Sequence, residues 1–148
     1  MKRILFIQLL IVFAFSCEND DYTTIPNLKV YFELNLSALD FELQTDYKFK
    51  IFTNPRLEIE KGKMGFGGLL IINGMSNLFA YDLACPVEVS RTIRVVPDSD
   101  KNNITATCPK CGAVFLIATG TGAPQSGSKY GLRRYAVVGN GMHYTVIN

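Results

Sequence analysis

The sequence contains no tryptophan and one histidine, His143, in 148 residues. With a single imidazole, no Ser-His-Asp or Cys-His set can be built that does not depend on His143, and nothing ties that residue to a nucleophile. A surplus of charge is also lacking. Of 15 basic and 13 acidic residues, Lys2 and Arg3 fall in a leader expected to be removed, leaving 13 against 13. That balance gives no electrostatic case for nucleic acid or for anionic lipid, since phosphate binding is driven by clustered Lys and Arg. Carboxylates occur singly on alternating strand faces or in the Asp98 to Asp100 turn, so no buried general-acid pair is expected. No apolar run reaches the roughly 20 residues of a membrane-spanning helix, and no heptad or short-period repeat runs through the chain. No catalytic constellation emerges.

What is present is 48% hydrophobic and 19% charged, enough for one globular domain. A chain of this size buries about two-thirds of the surface its unfolded form exposes, so any covalent or metal staple needs a reason beyond mere folding.

The amino terminus gives an address. Met1-Lys2-Arg3 precedes the apolar run Ile4 to Phe15, interrupted only by Gln8, and then Ser16-Cys17. A basic head, a short apolar stretch and a small residue at the break are the layout of a secretory signal. Ala14-Phe15-Ser16-Cys17 resembles the lipobox of bacterial lipoproteins, in which the cysteine is lipidated and becomes the first mature residue. The expectation is a signal peptide over residues 1–16, a lipidated linker over 17–26 and a domain over 27–148. Several acyl chains on Cys17 would tether the protein to the membrane without spanning it, placing it in the bacterial cell envelope, facing the periplasm or the surface. Glu18-Asn19-Asp20-Asp21 reads as a solvated linker or a sorting patch.

From Asn27 the hydrophobic period is two. Val30, Phe32, Leu34 and Leu36 fall on one face and Tyr31, Glu33 and Asn35 on the other. Tyr47, Phe49 and Ile51 alternate with Lys48 and Lys50 in the same way. Further strands are predicted at Leu57 to Glu60, Leu69 to Ile72, Leu78 to Leu83, Thr92 to Val96, Ile104 to Cys108, Val114 to Ile117, Arg133 to Val138 and Met142 to Ile147. Turn residues separate them at Asn54-Pro55, Asn73-Gly74, Pro97 to Asn103 and Gly139-Asn140-Gly141. Many short strands with frequent turns predict an all-β antiparallel fold, with at most a brief helical turn in Ser37 to Thr45. Gly65-Phe66-Gly67-Gly68 leads into a strand, not a helix, and so suits close backbone approach better than phosphate binding.

Three cysteines remain after Cys17: Cys85, Cys108 and Cys111. In an extracytoplasmic compartment, either two pair and one is left over or all three bind something together. Cys108-Pro109-Lys110-Cys111-Gly112 is the C-P-x-C-G knuckle of rubredoxin and zinc-ribbon sites, which sets two thiolates on one side of a tight turn. A thioredoxin-like reading lacks the helix that would lower a thiol pKa.

The span from about Gly67 to the carboxyl terminus is similar to the Rieske iron-sulfur domain. Phe79-Ala80-Tyr81-Asp82 leads into Cys85-Pro86, and Cys108-Pro109-Lys110-Cys111-Gly112 leads into Phe115-Leu116-Ile117-Ala118-Thr119-Gly120. A proline loop, Gly122 to Gly127, and a closing hairpin at Gly139-Asn140-Gly141 complete the frame. The resemblance implies antiparallel sheets with a small rubredoxin-like cluster-binding subdomain and a [2Fe-2S] cofactor. Cys85 and Cys108 match the inner-iron ligands, whereas Val87 and Cys111 stand where two histidines hold the outer iron. Valine has no lone pair, so the standard cluster lacks a ligand. Three outcomes are expected from the resemblance: a disulfide of Cys85 with Cys108 or Cys111; a three-thiolate zinc site completed by Glu88 or water; and a cluster with an altered fourth ligand. The corresponding functions are a binding or structural module whose site is degenerate and an electron carrier with an unidentified redox partner.

Overall fold

The computed structural model describes residues 22–75 and 77–148. The expected signal peptide, Cys17 and the acidic stretch to Asp21 lie outside the described residues. Among the described residues the fold is all-β: β1 (Tyr31–Asn35), β2 (Phe49–Phe52), β3 (Leu69–Asn73), β4 (Leu78–Asp82), β5 (Val96–Pro97), β6 (Thr105–Thr107), β7 (Val114–Leu116), β8 (Pro124–Ser126), β9 (Arg134–Asn140) and β10 (His143–Ile147). They form a six-stranded sheet in the order β1-β10-β9-β4-β3-β2 and a four-stranded sheet in the order β5-β6-β7-β8. Neighbouring strands are antiparallel throughout.

Strand β3 shows why two sheets are needed. All five of its residues are buried, the signature of a strand covered on both faces rather than one. Its alternation assigns the faces: Leu69 and Ile71 join a core with Phe32, Leu34, Leu43, Ala80, Tyr135 and Val146. Leu70 and Ile72 join a second core with Tyr81, Leu83, Val95, Phe115 and Ile117, which unites the larger sheet with the smaller. On β1 the predicted alternation holds, with Phe32 opposite Val146 and Leu34 opposite Tyr144. The β9–β10 hairpin turns where Asn140 pairs with His143, and Gly141 takes the positive φ of +58° there.

Four expectations change. Leu57 to Glu60 is not a strand; Glu58–Glu60 forms a 3₁₀ turn. The Glu60 carboxylate folds back to accept the amides of Arg56 at 2.6 Å and Leu57 at 2.9 Å, a local closure that competes with extended pairing. Of Thr92 to Val96 only Val96 enters a strand, and Arg94 makes an isolated bridge to Ala84. Pro124–Ser126 is a strand inside the proline loop; it lies at the sheet edge and begins with proline, where a missing amide costs no ladder bond. The stretch expected as linker is already part of the domain at Tyr22. Gly131 donates to the Tyr22 carbonyl at 2.9 Å and Arg133 Nε to the Ile25 carbonyl at 2.6 Å. Ile25 is buried, and Thr24 Oγ1 donates to the Pro86 carbonyl beside Cys85.

Candidate metal centre

Two loops of similar build carry the cysteines. The first leaves β4 of the larger sheet, and the second is the turn between β6 and β7 of the smaller. Each starts with Cys-Pro, and in each the residue four positions after the cysteine donates back to it: Val89 N–H to the Cys85 carbonyl and Gly112 N–H to the Cys108 carbonyl, both at 2.9 Å. That fifth residue is left-handed in both, with φ of +46° at Val89 and +72° at Gly112. Each loop also aims two amides at its sulfur. Those of Glu88 and Val87 face Cys85, and those of Cys111 and Lys110 face Cys108.

The loops bring the Cys85, Cys108 and Cys111 sulfurs within 4.8 Å of one another, a group able to hold a metal ion. Cys85 and Cys108 are buried and Cys111 lies at the exposed edge. All three thiols are free, so the expected disulfide is not formed. Cys85 Sγ and Cys111 Sγ are 3.6 Å apart, far beyond the roughly 2.05 Å of a sulfur–sulfur bond. The separation is close to the value of about 3.8 Å that follows for two thiolates on one tetrahedral zinc with bonds of about 2.3 Å.

The thiols are electrically unequal. Burial pushes Cys85 up to about 12, against the Glu88 and Val87 amides facing it. At Cys108 burial also acts upward, but the Cys111 and Lys110 amides, followed by the Cys111 and Cys85 thiols, outweigh it and lower its pKa. The Cys108 sulfur is therefore the more readily ionised of these two buried thiols.

The other predicted positions lie around this centre. Val87 is 44% exposed and has no donor atom to offer. The Glu88 side chain is 15% exposed and pairs with Lys110 Nζ at 2.5 Å. This contact raises the Lys110 pKa, with a smaller pull from Cys108 and Cys111. His143 is exposed on β10 and lines a separate cavity with Glu33, Arg56 and Glu60. With three sulfurs and no imidazole, the donor set does not fit the two-Cys, two-His cluster of the Rieske resemblance.

Beneath the first loop lies a group that sequence reasoning missed. Asp82 is fully buried, and its carboxylate accepts the amides of Phe66 at 2.7 Å, Gly67 at 2.8 Å and Ala84 at 2.8 Å, and the Tyr135 hydroxyl at 2.7 Å. A Cβ on Gly67 would lie 2.6 Å from the Ala84 nitrogen, so the expected close approach is real and serves this carboxylate. The signal was an acid set within the apolar run Leu78 to Cys85. Asp40 and Glu60 are buried as well. Arg56 links them: its guanidinium holds Asp40 at 3.0 Å and its backbone amide donates to Glu60. With their oxygens occupied by donors, these carboxylates anchor loops.

No family model matches the chain, and no curated protein matches it.

Proposed function

We propose that this chain is an envelope-anchored, Rieske-like lipoprotein whose domain is a binding or structural module, with one thiophilic ion of the zinc type in place of an iron-sulfur cluster. Cys85, Cys108 and Cys111 hold the ion, and Cys17 provides the lipid tether. The convergence of three free thiols within 4.8 Å, on loops whose amides already face two of the sulfurs, carries this reading. Amides aimed at sulfur stabilise thiolates and fix their orientation before an ion arrives. The ion would join a loop of each sheet and act as a staple, supplying stability to a fold large enough to form a core without it.

Metal analysis with thiol titration on anaerobically purified protein tests this. The expected result is a colourless protein with about one zinc per chain, whose three domain thiols react freely only after chelation. A metal-free protein with a single free domain thiol would establish the disulfide instead. A coloured protein containing iron and acid-labile sulfide would establish an electron carrier.

A further inference from the structure

We infer that Glu88 is the fourth ligand of this site, exchanging its ion pair with Lys110 for the ion when one binds. The inference rests on the three-thiolate reading and adds the group that completes it.

Its basis is the internal repeat of the two loops. Cys85-Pro86-Val87-Glu88-Val89 and Cys108-Pro109-Lys110-Cys111-Gly112 share the starting Cys-Pro, the same backbone hydrogen bond, the same pair of amides facing the first sulfur and the same left-handed fifth residue. In this register Glu88 stands where the second loop has Cys111, and Cys111 is a member of the thiol trio. The second loop thus offers two sulfurs and the first offers one sulfur and one carboxylate, which together make the four donors of a closed tetrahedral site. Val89 strengthens the comparison. It is β-branched, yet it holds the left-handed geometry that glycine supplies at Gly112, so the fold keeps this turn despite an unsuitable residue.

Relative strengths decide where the carboxylate goes. Glu88 is paired with a lysine whose side chain is 60% exposed, and such pairs contribute little net free energy. A divalent ion held by three thiolates offers a stronger electrostatic partner at short range. When Glu88 leaves it, Lys110 remains beside a site with net negative charge and offsets part of that charge.

Cobalt(II) titration of the reduced, metal-free full-length chain, followed by visible absorption, tests the inference. The wild type should show tetrahedral d–d bands and sulfur-to-cobalt charge transfer. Glu88→Gln should change the d–d pattern and weaken binding by roughly tenfold or more, since even outer-shell changes cost about 10–100-fold. Glu88→Cys should bind with charge transfer about one third stronger, as four thiolates replace three. Wild-type affinity and spectrum in Glu88→Gln, or no added charge transfer in Glu88→Cys, would overturn the inference and assign the fourth position to water. Failure of the wild type itself to bind cobalt would overturn the underlying three-thiolate reading.

Discussion

Tyr135 donates its hydroxyl hydrogen to Asp82 Oδ2 at 2.7 Å, joining β9 to the end of β4 in a place nearly removed from water. The same carboxylate accepts three loop amides, so Tyr135 and Asp82 contribute unequally. Tyr135→Phe removes one donor and should cost about 1–2 kcal/mol in urea unfolding. Asp82→Ala strands the amides of Phe66, Gly67 and Ala84 and should cost on the order of 3–5 kcal/mol. Equal costs for the two variants would show that the amides find other partners.

Alkaline pH should weaken the fold. Burial raises the pKa of Tyr135, and the Asp82 carboxylate raises it further; burial likewise raises Tyr81, whose hydroxyl donates to the Ile117 carbonyl at 2.8 Å. A group whose folded pKa lies above its unfolded value of 10.0 contributes stability that is complete below that value and is lost as pH rises toward the folded one. Thermal midpoints should therefore fall above about pH 10, and Tyr135→Phe should fall less steeply. A flat alkaline profile in the wild type would refute this account.

Arg56 tests the opposite end of the larger core. Its guanidinium lies 4.6 Å from the Phe32 ring centre and 4.9 Å from that of Phe52, and it also holds the buried Asp40. Burial alone would raise the Asp40 pKa, but Arg56 and the Asn35 amide, with Lys50, bring it below its ordinary 3.8. Its contribution is present above that value and lost as pH falls. Arg56→Met leaves Asp40 with Lys50, so the acid unfolding midpoint should move to higher pH and neutral stability should drop by about 2–4 kcal/mol. An unchanged acid midpoint would mean that Lys50 suffices.

Val89→Gly should stabilise the metal-free protein. A left-handed L-residue carries a penalty of about 1–2 kcal/mol, and glycine's added freedom in the unfolded chain returns part of it. A net gain of up to about 1 kcal/mol in chemical denaturation is expected, with metal affinity unchanged. A loss of stability would show that packing of the 42% exposed valine side chain outweighs the backbone strain.

Period-two patterning revealed the sheets because sheet faces are buried or wet by alternation, as in Phe32 and Leu34 against Tyr31 and Glu33. It failed where a side chain bonds its own backbone neighbourhood: nothing in Leu57 to Glu60 announces that Glu60 will fold back on Arg56 and Leu57. The cysteine trio was legible from the knuckle and from the odd thiol upstream. Asp82 was not, because satisfaction of a buried carboxylate depends on amides brought from Phe66 and Gly67, 16 and 15 positions away. The partner of Glu88 was hidden for the same reason, Lys110 being 22 positions distant.

One sulfur travels with the chain leaving β4, and the other two with the turn from β6 to β7. An ion among them would act as a rivet across the seam between the layers, and its departure would leave apolar packing to keep the smaller layer in register. Amide deuterium uptake would then quicken in β5 to β8 and stay slow in β1 and β10, so that occupancy of a few cubic ångströms would govern how independently half the molecule breathes.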